Sequence, residues 1–463
     1  MTYDAAIIGG GVSGLACAYN LKAKGYNVLV IERQVKAGGN AQSERIGGGF
    51  LMEHGPSTMN PIIAEANEFS TLLGLDPQRL ELGAGVKRRF LVDNGKLNGV
   101  GVHPFAFLTS NYLSISAKLR LMMEPLIRRQ DSQIDETVED FVSRRFGREF
   151  ATRIMSPMVS GIFTGCADEL SVKSIFPKLY EFEQRYGSIT LGVLAKKDKG
   201  KMPGSRLFSW KNGIGVLPSN LAKRLGNSLI TGVDVRKISK NQMGFCIDVG
   251  KSGKIQANAV VFATQPHVTA QLLDGLDSHA ANAASKITAP PVSVVYMGYK
   301  RGQIDHPMDG LGFLAARDEN RRLLGAQFCS TMFEGRAPAG HVSMAAYVGG
   351  TANPELAGLS PDELQNLAHN EFKDLLGIKG APVISRVRHW NRGLPQYRIG
   401  HEDIVKDIKS MNQRMPGLYA TGNYFSGPSI ACCLKQAGDT AKDVSSYLSQ
   451  YDAAYQQLKL HRS

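Results

Sequence analysis

Three glycines near the start of the chain, Gly9-x-Gly11-x-x-Gly14, stand where a short apolar run ends and a helical pattern begins. That spacing suits the binding of a diphosphate. Glycines permit a tight turn and let the backbone approach the phosphates, and the N-terminus of the next helix offers unpaired N–H groups with a partial positive charge. Val12 and Ser13 open that helix and join the three glycines as candidate ligands. Glu32 ends the following apolar run. A carboxylate there accepts hydrogen bonds from ribose hydroxyls and repels a 2′-phosphate, which disfavours NADP. Arg33 adjoins it, and a second glycine pair, Gly38-Gly39, follows. The chain has no Ser-His-Asp or paired-carboxylate signature, no Cys-x-x-Cys among its six cysteines, and no expected metal site.

The elements that must hold these residues are legible around them. Asp4–Ile8 reads as a strand, Val12–Lys24 as a helix stopped at Gly25, and Val28–Ile31 as a strand ending at Glu32, which together make one β-α-β unit. From Ser110 to Lys197 the pattern is helical, with helices expected at Ile115–Arg129, Val138–Phe146 and Glu149–Met155. Lys196–Gly204 is a charged, glycine-bearing loop and an expected domain crossing. Strands are expected at Thr231–Ile238, Gly244–Val249, Ala259–Ala263, Val292–Tyr299, Gly325–Cys329 and Val342–Val348. Pro361–Leu376 reads as a helix, Gly417–Thr421 as a last strand and Leu434–Leu448 as a last helix.

Lys and Arg number 54 against 41 Asp and Glu, a formal charge of +13. Such a surplus favours anionic partners. The basic residues are scattered, so nucleic acid is not expected; an acidic membrane face or an anionic small molecule fits better. Thr2–Ile8 already reads as a strand, so no signal peptide is expected. No uncharged apolar stretch reaches the roughly 18 residues that span a bilayer. A reducing, cytoplasmic location follows as the expectation, with contact at the membrane face through Ile115–Arg129, a basic amphipathic helix.

The Glu32-Arg33 pair followed by Gly38-Gly39 resembles the extended motif of glutathione-reductase-type flavoproteins, in which the second glycine pair lets the backbone reach the diphosphate and ribityl region of FAD. Val233-Asp234-Val235 resembles their adenine-binding segment, with Val235 as the contact, and Gly417–Asn423 their carboxy-terminal FAD motif, with Gly422 and Asn423 at the flavin end. The resemblance also assigns Gly55, Pro56, Ser57 and Thr264 to a non-covalent FAD site.

Longer blocks resemble oxygen-dependent protoporphyrinogen and coproporphyrinogen oxidases: Phe50–Pro56, Arg89–Leu97, Phe141–Ser188, Phe333–Pro338, Leu394–His401 and Gly422–Gly427. The chain departs from that family at Gly165-Cys166-Ala167, where Gly-Asp-Pro is common, and at Gly427–Cys433. The resemblance implies an α/β fold of the amine-oxidase type. It has a discontinuous Rossmann-like FAD-binding domain (1–85, 201–287, 411–463), a β-rich substrate domain (86–105, 288–410) and a helical, membrane-associating domain (106–200). It implies oxidation of a porphyrinogen, with O2 as acceptor and H2O2 as by-product; an amine or amino-acid oxidase on the same fold is the alternative, and a non-catalytic protein on a degenerate FAD fold is the third reading. Arg89 is then the residue for a substrate propionate, Phe313 and Phe328 pack on the macrocycle, and Gly161 and Gly165 lie near the reacting edge by flavin N5. A second copy of the chain is a further expected partner. Cys432-Cys433 reads as buried small residues rather than a redox dithiol.

Overall fold

The computed structural model describes residues 2–101, 110, 112–130, 134–195 and 207–460, the last nine as backbone only. The Lys196–Gly204 loop and the crossings near 105 and 200 lie outside the described residues.

The first sheet has seven strands. Its order is Lys237–Asn241, Gly244–Asp248, Lys254–Phe262, Thr2–Ile8, Val28–Glu32 and Leu229–Thr231. Leu418–Ala420 also pairs with the second half of Lys254–Phe262. Thr2–Ile8 runs parallel to both of its neighbours. Val28–Glu32 is buried at all five positions, as expected of a parallel strand covered on both faces. The strands come from three separated stretches of chain, and helices on both faces bind them together. Leu15, Leu21, Leu217, Leu221, Leu434 and Val444 make the core on one face; Leu272, Leu273, Ala284 and Ile408 pack on the other.

The second sheet also has seven strands, ordered Ile384–Trp390, Val292–Lys300, His341–Gly349, Gly325–Gln327, Gly310–Leu314, Arg88–Asp93 and Lys96–Gly101. All neighbours are antiparallel except Gly310–Leu314 with Arg88–Asp93, which run parallel. Alternation divides its side chains cleanly. Phe90, Val92, Val295, Met297, Phe313, Ala326, Met344 and Ala346 face the helix Pro361–Leu376 through Leu364, Ala368 and Phe372. Ser360 and Glu363 close a capping box at the start of that helix, and Gly377 ends it with a positive φ, so its bounds are those the sequence predicts.

Between the sheets in sequence comes the helical stretch. The expected Ile115–Arg129 helix stops at Met122; a 3-10 turn, Glu124–Leu126, follows. Pro125 is the cause, since its ring clashes with the preceding turn. The Glu149–Met155 helix is instead a short turn, Arg148–Phe150, running into a π-turn, Ala151–Met155. Arg145 and Glu124, both fully buried, form the ion pair that pins these pieces. Glu124 also accepts from Ser188 Oγ at 2.6 Å and from Ile189 N–H at 3.0 Å. The expected strand Thr231–Ile238 is broken: Leu229–Thr231 ends at Gly232, and pairing resumes at Lys237. Gly232 has φ +72°, which turns the chain off the sheet edge, so Val233–Val235 leaves the ladder.

Candidate functional site

The two glycine turns lie against each other.

 

Gly38 N–H donates to Gly10 O at 2.8 Å, and Gly11 and Gly38 form a parallel bridge. A Cβ on Gly39 would meet Gly11 Cα at 3.2 Å, and Gly39 has φ +57°. A Cβ on Gly14 would lie 2.0 Å from Gly9 O, and one on Gly9 would lie 2.6 Å from Ala263 O. A Cβ on Gly11, by contrast, would meet only Gly39 Cα, at 4.0 Å. The result is a groove floored by backbone at the start of the helix Val12–Ala23, where no side chain caps the first turn. Such a groove fits a diphosphate, whose oxygens would take those N–H groups.

Glu32 is tied in more closely than its sequence position implies. Its Oε2 accepts from Gly10 N–H at 2.6 Å and its Oε1 from Gln34 N–H at 2.7 Å. Each oxygen keeps acceptor capacity for a ribose hydroxyl. Thr264 sits beside Gly9 and shares a hydrogen bond with Thr269 at 2.8 Å. Val235 packs at the edge of the neighbouring core, and Arg33 is exposed. Ser13 is buried next to Cys433, whose thiol burial pushes up to about 12. That places Cys433 in the core under the last helix, while Cys432 is partly exposed.

The segment 54–57 is held by a buried carboxylate that sequence reasoning missed. Glu53 accepts from Ser43 Oγ at 2.5 Å and from Ile214 N–H at 3.0 Å. Arg336 lies 3.7 Å away and donates to Ser209 Oγ at 2.8 Å and Trp210 O at 3.1 Å. Burial pushes the Glu53 carboxyl up to about 7, against its hydrogen bonds to Ser43 and Ile214 and the charge of Arg336. Burial likewise moves Arg336 down. Both directions say that desolvation outweighs the attraction between the two. Beyond Glu53, Gly55 packs on Asn40 O, where a Cβ would come within 2.9 Å, and so joins Pro56 and Ser57 to the glycine turns. Ser57 Oγ donates to Gln327 Oε1 at 2.7 Å, which links this segment to the second sheet. At the other end of the site, Asn423 O accepts from Tyr397 OH, and Gly422 leaves space only for the Tyr424 ring.

The other face of the second sheet is the one turned to the segment 43–57, whose Ile46, Phe50 and Met52 pack on Val294, Tyr296 and Ala345. Arg89 lies on it, two residues before Leu91, with Leu314, Gly325, Gln327, Tyr347 and Trp390 on the neighbouring strands. Burial lowers the Arg89 guanidinium, and its Nε has no hydrogen-bond partner among the described residues. Phe313 and Phe328 do not join it. They are 2% and 0% exposed and pack with Phe90 and Phe372 on the opposite face. The period-2 alternation puts Phe313 one residue, and therefore one face, away from Leu314. Gly161 and Gly165 are packing points instead of open turns: a Cβ on Gly161 would meet Leu314 Cδ2 at 2.2 Å, and one on Gly165 would meet Gln396 Oε1 at 2.2 Å. Gly161 thereby sets the helical stretch close over Leu314 on the Arg89 face.

Residues 12–445 match the family described as flavin containing amine oxidoreductase. The chain is 31% identical to the chloroplastic protoporphyrinogen oxidase of Oryza sativa subsp. japonica, over 97% of this chain and 89% of that one. It is 29% identical to protoporphyrinogen oxidase 2 of Arabidopsis thaliana (96% and 94%) and 27% identical to coproporphyrinogen III oxidase of Bacillus subtilis strain 168 (96% and 98%). Among solved structures, cyclohexylamine oxidase of Brevibacterium oxydans IH-35A superposes with a TM-score of 0.72 at 16% identity, covering 97% of this chain and 100% of that one. A UDP-galactopyranose mutase gives 0.75 at 17%, covering 96% and 94%. These two share the fold. The cofactor is FAD.

Two outcomes follow from this arrangement. Gly14→Ala drives a methyl into Gly9 O and should weaken FAD binding by about tenfold or more, read as lost flavin absorbance in the purified protein. Glu53 has a folded pKa raised from 4.5 to about 7, so the stability it contributes is present below about pH 4.5 and is lost as pH rises through 7. Glu53→Gln should therefore flatten the fall in melting temperature across that window; a parallel fall in both proteins would contradict it.

Proposed function

The chain belongs to the flavin-containing amine oxidoreductase family, and from that premise we propose that it oxidises a porphyrinogen to a porphyrin, with oxygen as the final acceptor. The observation that carries this reading is Arg89: a half-buried cation whose buried Nε has no hydrogen-bond partner and whose guanidinium has no carboxylate partner among the described residues, on the sheet face that Gln327 links to Ser57. A porphyrinogen is an apolar macrocycle with anionic propionates, and a propionate matches that cation. Guanidinium offers a planar fork to a carboxylate.

When bound, FAD supplies a two-electron acceptor that oxygen can restore. The chain's own residues hold the substrate and keep water out. Arg89 anchors a propionate. Beside it the stretch carrying Gly161 packs on Leu314 and so closes that side of the sheet to water. Ring-nitrogen electrons help to expel hydride from a methylene bridge, so orientation rather than a strong base is the main demand.

The helical stretch supports a second element of the proposal, peripheral contact with an anionic membrane. Ile115, Leu119, Met122, Met123 and Leu126 are all more than half exposed, and Ala117 alone of its helix is buried. Arg128, Arg129 and Lys118 lie nearby in sequence. Among the described residues no helix is long and apolar enough to cross a membrane.

Porphyrin fluorescence from a supplied porphyrinogen, set against peroxide released from amines, tests the activity. Turnover of porphyrinogen alone is expected, and Arg89→Lys should raise its KM by about tenfold or more while FAD stays bound. Release of peroxide from amines alone would overturn the reading. For the membrane, co-sedimentation with anionic vesicles at low salt is expected, and Leu119→Glu with Leu126→Glu should abolish it; the same binding by parent and variant would remove this surface from contact.

A further inference from the structure

The core of the helical stretch takes one side chain from far along the chain. Among the described residues, Val138, Phe141, Val159, Phe163 and Leu170 are joined there by Tyr397. Tyr397 is 1% exposed, and its ring meets that of Phe163 edge-on, with centroids 6.3 Å apart. The same stretch holds its backbone. Tyr397 O accepts from Ser171 N–H at 2.8 Å, Arg398 bridges to Leu170, and Gly400 N–H donates to Asp135 Oδ2 at 3.2 Å. The Tyr397 hydroxyl leaves this core and donates to Asn423 O. His401 is also buried, with its ring 4.8 Å from that of Tyr397, and its Nε2 lies 2.8 Å from Tyr424 O. A carbonyl only accepts, so Nε2 carries the proton and donates it. Two side chains of one block thus fix two successive carbonyls of the turn that follows the last strand.

That turn stands on the same sheet edge as the diphosphate groove. Ile8, Phe262 and Ala420 lie side by side in three parallel strands. Gly9 follows the first of them, Ala263 and Thr264 the second, and Thr421 and Gly422 the third. Two strand steps of about 4.8 Å put the turn roughly 10 Å along this edge from Gly9. Ligands of open α/β sheets bind outside the carboxyl ends of the strands, which is this edge. A side-chain chain links the two places. Tyr424 OH shares a hydrogen bond with Thr269 at 3.3 Å, and Thr269 shares one with Thr264 at 2.8 Å, beside Gly9.

We infer that Tyr397 and His401 are positioning residues for the flavin: they hold the Gly422–Tyr424 turn in place and make its position depend on how the helical stretch is packed. This rests on an FAD site with Gly422 and Asn423 at its flavin end, and not on which substrate is oxidised. Burial holds the Tyr397 phenol well above its ordinary value and the His401 imidazole below its own, so both are neutral donors at neutral pH. They fix the turn without setting a charge beside it. Their effect passes through the backbone of the turn, where a small displacement is enough to misplace a reacting group.

The test uses the FAD-loaded protein. Tyr397→Phe keeps the ring in its core and removes only the hydroxyl; His401→Gln keeps an N–H donor and His401→Leu does not. Visible circular dichroism of the bound flavin and its reduction potential, taken by photoreduction without substrate, are measured beside kcat, KM and Tm. Tyr397→Phe and His401→Leu should change the dichroism and shift the potential, with His401→Gln closer to the parent. Their kcat for a porphyrinogen should fall by about tenfold while KM stays within about twofold. A lower Tm with the dichroism and potential of the parent overturns the inference, because a purely structural role moves Tm alone. Should Tyr397→Phe fail to fold, the two His401 variants decide: flavin signals that differ between them support the inference, and signals that are alike overturn it. A parent that oxidises no porphyrinogen overturns the porphyrinogen reading alone, since the dichroism and the potential need no substrate.

Discussion

The backbone contact between Gly10 and Gly38 is the point from which the site is laid out. Gly38 N–H can reach Gly10 O at 2.8 Å only because no side chain stands between the two turns. The same closeness brings Gly39 against Gly11 and leaves the start of the helix Val12–Ala23 facing open space. Glu32 supports the arrangement from below through Gly10 N–H. Strands from three parts of the chain converge on this corner, because Thr2–Ile8 can be held parallel on both sides only by Val28–Glu32 and by Lys254–Phe262. The diphosphate groove is therefore a property of tertiary packing around a local motif.

The second sheet works by division of labour between its faces. One is a conventional core, closed by a capped helix of sixteen residues. The other packs under Ile46, Phe50 and Met52 at one end and under Tyr112, Leu113 and Ile154 at the other, and carries Arg89 and Gln327 between other elements. The Phe90, Phe313, Phe328 and Phe372 cluster anchors the sheet on its core side. Phe313 and Phe328 thus serve the site indirectly, by fixing the strands that aim Leu314, Gln327 and Arg89.

Two buried ionic groups do positioning work of a costlier kind. Glu53 with Arg336 ties the segment before Gly55 to Trp210 and to the strands beyond, and Arg145 with Glu124 ties the helical stretch together. Burying charge opposes folding unless each hydrogen-bonding site is filled, and here most are. Hydrophobic contacts of the same area would stabilise comparably but would tolerate small slips. Charged groups with directional partners do not, which suits segments that must stand at a set distance from a cofactor.

Local chemistry was legible in the sequence wherever a property depends on neighbours along the chain. The β-α-β unit, the helix Pro361–Leu376, Glu32 at a strand end and the glycines of both turns could be read directly, since turn geometry, capping and periodicity are short-range effects. The block resemblance added the FAD fold and the porphyrinogen class. What escaped it depends on long-range pairing. The break at Gly232 left a run of β-prone residues looking like a continuous strand, and Pro125 cut short an amphipathic pattern that otherwise continues to Arg129. Phe313 differs from Leu314 by one residue and by a whole sheet face, and no local signal says which face is which, because that follows from the register with Phe90 and Leu91. Glu53 and Arg336 were silent for the same reason: the carboxylate meets Ile214 N–H and the guanidinium meets Ser209 Oγ, partners more than a hundred residues away that only the folded chain brings within reach.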